Sequence, residues 1–311
     1  MSGAALLGGF GADLLVGDPR RGHPVAGFGQ VALAAERRWY APSRWRGAVF
    51  AGVLVAGAAG LGELLARRLG RARALVLVGW AALGGRSLGA VAGSIGAALS
   101  SGDLGAARAE LPSLVGRDPS LLDSAGVARA VVESVAENTG DAVVGPLVWG
   151  AVFGPAGVCA FRAANTLDAM VGHRSARYED FGWAAARLDD VMAWPAARLG
   201  ALLAVMCAPV VGGSPRAALR VLHRDGGAHP SPNAGRIEAA FAGALGVRLG
   251  GPLRYGDRDE VRPTLGDGPA PMVADIARAR RLSLTVGLAA AVVCSAARRG
   301  RSATQTCGRF R

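Results

Sequence analysis

Apolar positions in this chain gather in long runs, and the polar segments between them are short and rich in arginine. The runs "GAVFAGVLVAGAAGLGELLA" (47–66), "ALVLVGWAALGG" continuing toward Leu99, "AVVGPLVWGAVFGPAGVCAF" (142–161), "LGALLAVMCAPVVGG" (199–213) and "LSLTVGLAAAVVCSAA" (282–297) predict helices suited to a bilayer. A span takes ~20 apolar residues, and several runs fall short, while Glu63 and Arg86 interrupt two of them. Some of these segments are therefore expected to be re-entrant or buried in protein. Residues 86–141 read as helices joined by turns at "SSGD" and "GRDPS", with Asp118 or Ser120 as N-cap of the helix that follows. Residues 214–281, rich in Gly and Pro, predict loops around one or two short helices. No alternating β pattern is sustained. The expected fold is an all-α, polytopic integral membrane protein whose polar loops and re-entrant or buried helices form one site, with a single membrane domain over 1–297 and a basic tail over 298–311.

Composition sharpens this picture. Mean hydropathy is +0.30, well above what a soluble enzyme needs. The net charge of +12 comes from arginine alone, since the 311 residues include no lysine. The arginines flank the apolar runs (Arg37, Arg38, Arg44 and Arg46; Arg67, Arg68, Arg71 and Arg73; Arg298, Arg299 and Arg301), as membrane-anchoring residues do. That distribution argues for membrane lipid and against nucleic acid as the partner of the positive charge. Successive loops are all arginine-rich, so charge bias does not set the orientation. The first residues lack a basic stretch and an A-x-A cleavage pattern, and no signal peptide is expected. Cys159, Cys207, Cys294 and Cys307 are widely spaced and read as apolar filler, with neither a disulfide framework nor a zinc site.

Four polar clusters carry candidate chemistry. "GDPRRGHPVAGFG" (17–29) is a proline-bounded turn that presents Asp18 and His23. In "VARAVVESVAENTGDAVVGPLVWG", Glu133, Glu137 and Asp141 recur every four residues and would share one helix face, with Asn138 beside them. Each like-charged pair costs roughly 0.2–0.5 kcal/mol. A divalent cation is one compensation, because Mg²⁺ is held by one or two carboxylates plus substrate phosphates; a solvated face with an Arg129–Glu133 pair is the plainer alternative. The third cluster spans 161–199, where Arg162, Asn165 and Asp168 follow i, i+3, i+6 spacing, and Arg187, Asp189 and Asp190 lie between Trp183 and Trp194. Its arginines suit phosphate or carboxylate and its aspartates suit metal or amine, although mutual ion pairing would also account for the mixture. The fourth, "HPSPNAG" (229–235), offers Ser231 or Asn233 as a helix cap or as part of an anion-binding helix start. The Walker A loop, H-E-x-x-H and C-x-x-C are all missing.

In their order between apolar runs, "GDPRRGHPV", "ESVAENTGDAVVGPL", "RAANTLDAMVGHRSARYEDFGWAAARLDDV" and "SPNAGRIEAAFAGALGVRLGGP" resemble the adenosylcobinamide-phosphate synthase family of cobalamin biosynthesis, the CobD/CbiB type. The resemblance runs from about Gly11 to Leu284. It implies a ligase in the cell membrane with its site on the cytoplasmic side. The reaction would be ATP-dependent amide formation between adenosylcobyric acid and (R)-1-aminopropan-2-ol or its O-phosphate. Under it, Glu137 and Asp141 are expected to hold Mg²⁺ with Asn138 and Asp168 as further ligands. Arg162 and Arg187 are expected to bind phosphate, with Asn165, Ser231 and Asn233 beside the nucleotide. Asp189 or Asp190 would hold the amine or act as its base, and His23 is a second candidate base. One departure is local: an Asn-aromatic pair is expected shortly before Pro-Ala-Arg, but Ala193 and Trp194 stand there with Pro195 displaced by one position. The competing class is a non-enzymatic membrane sensor or transporter on the same scaffold. A transporter would carry its polar residues along the spans, and a sensor would lack part of the ENTGD (137–141) or LDD (188–190) sets; both sets are complete.

Overall fold

The computed structural model describes residues 2–307 except 20, 21, 117, 174, 256 and 257. Its helices in chain order are α1 (Ser2–Val16), α2 (Pro24–Trp39), α3 (Arg44–Leu69), α4 (Arg71–Ala82), α5 (Gly85–Ser100), α6 (Leu104–Glu110), α7 (Ser124–Asn138), α8 (Gly145–Phe153), α9 (Pro155–Leu167), α10 (Trp183–Cys207), α11 (Pro215–Asp225), α12 (Ala234–Leu245) and α13 (Val273–Cys307). Two π-helical turns, Thr139–Val144 and Asp168–Gly172, continue α7 and α9. One antiparallel hairpin, β1 (Leu249–Tyr255) and β2 (Arg258–Leu265), pairs Leu249 with Leu265 and is irregular between Leu249 and Gly251. The fold is thus all-α apart from this hairpin, which lies in a stretch read from sequence as loops and short helices.

Four helical stretches are long and apolar enough to cross a membrane: Arg44–Leu69, Arg71–Ser100, Trp183–Val211 and Val273–Arg299. At 1.5 Å per residue, the 26 residues of α3 exceed the ~30 Å hydrocarbon thickness. Only 17% of its most apolar window is buried within the protein, and Trp45 at its start is 75% exposed. This is the profile of a lipid-facing helix with an interfacial aromatic anchor. Glu63, which interrupts the run, is met by Arg67 Nε at 3.3 Å and Arg71 Nη2 at 3.4 Å, so the charge is paired close to the helix end. The run 142–161 is not among the four. Gly154, with φ of +69°, breaks it into α8 and α9, with Pro146 and Pro155 in their first turns. The result is a pair of short packed helices, consistent with the expected re-entrant or buried segment.

The chain divides into two compact units, each assembled from separated segments. The first comprises Met1–Gly84, Asp141–Ala196 and Ala290–Arg311; the second comprises Gly85–Gly140 and Ala197–Ala289. In the first unit, α3 packs directly on α9. A Cβ on Gly62 would lie 2.6 Å from the Pro155 carbonyl oxygen, so only glycine permits that approach. Phe50, Phe181, Leu167 and Val171 form one buried cluster, and Phe161, Ala164, Met192 and Ala193 form another. Ala193, the departure noted above, is therefore an apolar packing residue here. Trp149 Nε1 donates to the Met192 carbonyl at 2.8 Å, in the stretch of α10 that Pro195 loosens. Arg298 donates to the carbonyls of Gly150 and Ala151, so the start of the basic segment belongs to the packed unit; residues 308–311 lie outside the described residues.

In the second unit, α12 is almost wholly buried and α7 is buried over most of 127–136. The α7 N-cap is Asp123, whose Oδ1 accepts the Gly126 N–H at 2.7 Å. The expected caps lie too early: Asp118 instead accepts the Ser120 N–H at 2.9 Å and closes a turn before the helix.

Candidate active site

The α7 carboxylates do not form the expected stripe. Glu133 is buried, Glu137 is exposed and Asp141 is half-buried. The π-helical turn that begins at Thr139 changes the helical repeat, so Asp141 leaves the face that α-helical spacing assigns to it. Glu133 has a structural role in the second unit. Its Oε1 accepts the Gly250 N–H at 2.8 Å while Arg129 Nη1 donates to the Gly250 carbonyl at 2.8 Å, so one turn of α7 clamps both backbone groups of the hairpin's irregular residue. Asn138 Nδ2 donates to the Ser134 carbonyl and hydroxyl at 3.0 and 3.1 Å. Thr139 Oγ1 is bonded to the Val135 carbonyl and to Ser283 Oγ.

Ser231 and Asn233 also belong to the second unit. Ser231 Oγ accepts from the backbone of Asn233 and Ala234 at 3.3 and 3.2 Å, an arrangement that caps the start of α12. Asn233 is buried, and its Oδ1 accepts from Arg198 Nη1 at 2.7 Å. His229 Nδ1 accepts the Ser231 N–H at 3.0 Å. Of the two readings open for this motif, the cap is the one these contacts display.

The first unit gathers a polar centre around Asn165, one turn after Arg162 on α9. Asn165 Oδ1 accepts from Arg162 Nη1 at 3.0 Å, and its Nδ2 points to Asp141 Oδ2 at 3.3 Å and Asp189 Oδ1 at 3.4 Å. Four segments thus converge: the first π-helical turn, α9, α10 and, through Asp18, the loop before α2. Burial lowers the pKa of the Arg162 guanidinium, and the charges of Asp141, Asp18 and Asp189 act in that order to raise it again. A side-chain amide suits both kinds of partner, since its oxygen accepts from a guanidinium while its two N–H groups are available to two carboxylates.

The remaining expected residues of this unit surround the centre with distinct partners. Adjacent aspartates on α10 diverge: Asp189 faces Asn165, whereas Asp190 accepts from Arg187 Nη1 at 3.3 Å. Arg187 is mostly exposed and therefore free to reorient toward an anion. Asp168 opens the second π-helical turn and is half-buried. His23 caps α2: its Nδ1 accepts the Val25 N–H at 3.1 Å, and Nε2 lies 3.4 Å from Asp18 Oδ1. A neutral His23 held this way carries its proton on Nε2, so it would have to release the cap before acting as a base. Among the described residues, no three His, Cys, Asp or Glu side chains cluster as a metal-holding group. The Asp141 and Asp189 carboxylates that share Asn165 nevertheless match the donor chemistry Mg²⁺ uses when phosphate oxygens and water complete its shell.

Two features escaped sequence reasoning. Glu36 is buried on α2, and its Oε1 accepts from Arg177 Nε and Nη2 at 3.2 and 2.9 Å and from the Tyr178 hydroxyl at 3.0 Å. This latch ties the loop between the second π-helical turn and α10 to α2. The other is an apolar cavity of about 660 Å³ bounded by α2, α3, α4 and α9, with Arg162 as the single charged residue lining it among the described residues.

A family model described as "CobD/Cbib protein" matches residues 6–283. Curated proteins named "Cobalamin biosynthesis protein CobD" are similar along most of their length. One from Mycobacterium tuberculosis is 54% identical over 284 residues, covering 90% of this chain and 91% of the relative. One from Rhodobacter capsulatus is 42% identical over 312 residues, covering 92% and 97%, and one from Chromobacterium violaceum is 43% identical over 286 residues, covering 87% and 88%. No solved structure matches the fold. With its apolar helices, its ordered polar motifs and full-length relatives of one name, this chain belongs to the CobD/CbiB family of cobalamin biosynthesis proteins.

Proposed function

We propose that this protein is an ATP-dependent ligase of the cell membrane that joins adenosylcobyric acid to (R)-1-aminopropan-2-ol or its O-phosphate through an amide bond. The observation that carries the reading is the Asn165 hub, which holds a buried guanidinium and carboxylates from other segments in one centre. An unactivated carboxylate does not condense with an amine in water. ATP transfers a phosphoryl or adenylyl group to the acid, the amine nitrogen attacks the acyl carbon, and phosphate or AMP departs as the amine proton passes to a base. Arg162, with Arg187 reorienting from Asp190, suits the phosphate that moves. Asp189 suits the ammonium form of the amine and then its proton. Mg²⁺ held by Asp141 and Asp189 would supply charge neutralisation to the phosphates. The relatives' name places them in cobalamin biosynthesis, which supports a corrinoid as the acid component. Because ATP and the corrinoid are cytoplasmic, the centre is assigned to that face.

The test is ATP consumption by purified protein in detergent. Turnover is expected only when cobyric acid and an amine are both supplied, and mass spectrometry of products from a competition between the two amines identifies the preferred one. ATP hydrolysis indifferent to both, or amide product formed without ATP, would rule out this reaction.

A further inference from the structure

The cavity bounded by α2, α3, α4 and α9 is apolar and lies beside a lipid-facing helix. Its described lining is almost entirely aliphatic and aromatic, and Val31, Val53, Leu61 and Leu77 each combine a place in the lining with an exposed surface. Leu61 and Val53 lie on α3, the helix with the smallest buried share among the four candidate spans. The cavity therefore borders the surface that faces lipid tails. Its volume of about 660 Å³ falls within the ~300–1,000 Å³ range of small-molecule binding sites, room for part of a lipid.

One buried polar atom lies in its lining and a second in the adjoining loop before α2. Arg162 lines the cavity, and its Nε is shielded from solvent and donates no hydrogen bond among the described residues. Pro24 and Val25 also line it, directly after the loop that holds Asp18. Asp18 Oδ1 is likewise shielded, and its contact with His23 Nε2, at 3.4 Å, is too poorly aligned for a hydrogen bond. Trp80, another lining residue, donates from Nε1 to the Gly17 carbonyl at 2.9 Å and fixes that loop against the cavity. A buried donor without a hydrogen bond and a buried acceptor with only a long ion-pair contact are costly unless a ligand serves both. The donor is cationic and the acceptor anionic, so the complementary head group carries an acceptor anion and a donor cation.

We propose that this cavity is a binding site for one membrane phospholipid with a primary-amine zwitterionic head group, phosphatidylethanolamine. An acyl chain fills the apolar volume, a phosphate oxygen accepts from Arg162 Nε, and the ammonium donates to Asp18 Oδ1. Phosphatidylglycerol would supply the phosphate but no ammonium, and phosphatidylcholine an ammonium without N–H donors. The site shares Arg162 with the proposed reaction centre but requires neither ATP nor a corrinoid, so lipid binding and ligase activity can fail independently.

The experiment is native mass spectrometry of the full chain released from detergent, after equilibration with dioleoyl-phosphatidylethanolamine, -phosphatidylglycerol or -phosphatidylcholine and no other substrate. One ethanolamine lipid per chain is expected, retained at least tenfold better than either of the others. Arg162→Gln and Asp18→Asn should each lower that retention at least tenfold. Gly57→Phe leaves both polar residues in place and directs a ring into the cavity from an α3 position where a Cβ meets nothing within 4 Å; it should abolish the bound lipid. Equal retention of the three lipids would reduce the cavity to general solvation by acyl chains and overturn the assignment. Undiminished retention in the Gly57→Phe protein, or displacement of the lipid by water-soluble O-phosphoethanolamine at equal concentration, would do the same.

Discussion

Replacing Asn165 with aspartate changes one atom and reverses the logic of the centre. The new carboxylate still accepts from Arg162 Nη1, now as a charge-assisted bond, but it can no longer donate to Asp141 and Asp189. Both contacts, 3.3 and 3.4 Å in the parent, become repulsive. Unit charges about 4 Å apart interact by about 4 kcal/mol at an effective dielectric of ~20. Attraction to Arg162 offsets roughly one of the two repulsions, and solvent at this half-buried position screens what remains to about 2 kcal/mol. The added like charge should therefore raise the folded-state pKa of a carboxyl in the cluster above its value in the unfolded chain. The folded variant then binds a proton more readily than the unfolded one, so its stability recovers as the pH falls through the raised value. Once protonated, the carboxyl at position 165 also regains the donor that asparagine provides. The assay is the melting temperature of parent and variant in the same detergent from about pH 8 to about pH 4.5. The variant should melt several degrees lower at about pH 8, and the gap should close between about pH 6 and about pH 4.5; the alkaline limb of its amide-forming rate should move in the same direction. A gap that stays constant with pH would mean that Asn165 does not bridge the two carboxylates, and the centre would lose its organising residue.

Glu133→Ala leaves the Gly250 N–H buried without an acceptor and should cost about 1–3 kcal/mol in detergent unfolding, whereas Glu133→Gln keeps an accepting oxygen and should cost less than half as much. Asp225 is held below the usual carboxylate range by the Arg224 fork at 2.6 and 2.7 Å, aided by the Gly266 N–H. Its stabilisation is present above the unfolded-state value of about 4 and lost as the pH falls through the lower folded value, so Asp225→Asn should melt well below the parent at about pH 6 and approach it near about pH 3. Arg187→Lys should melt within about 0.5 kcal/mol of the parent, because its pair with Asp190 is largely exposed, yet lose at least tenfold in turnover if two parallel bonds to phosphate are required; full activity would leave Arg187 as a partner of Asp190 alone.

The membrane architecture was legible because apolar runs are a local property. The run 47–66 becomes α3, Arg44–Leu69, and the Gly-Pro pairs inside 142–161 give the α8–α9 break. α1 is less legible, since "SGAALLGGFGADLLV" is apolar but too short for a span. The hairpin was hidden because Gly250 and Gly251 adopt positive φ and Pro252 follows them, which erases the alternation that marks a strand. In the candidate site, residue types were legible and pairings were not. Asn165 reaches Asp141 and Asp189 across 24 positions in each direction, and Glu36 reaches Arg177 across 141. No spacing rule encodes such contacts.

The evenly spaced carboxylates show why charge periodicity alone does not identify a metal site. On an ideal α-helix Glu133, Glu137 and Asp141 would have one answer in common, and a cation would be the economical one. In the folded chain each has a separate answer. Glu133 takes a backbone N–H from the hairpin, Glu137 is exposed, and Asp141, carried off the face by a π-helical turn, meets the Asn165 amide near a guanidinium. Repulsion of roughly 0.2–0.5 kcal/mol per pair is small beside a buried hydrogen bond to a charged group at ~1.5–3 kcal/mol. Repulsion along the helix therefore does not by itself call for an ion. Asp141 joins the polar centre because long-range packing brings α9 and α10 to it, and the four-residue spacing that first draws attention to it contributes nothing to that meeting.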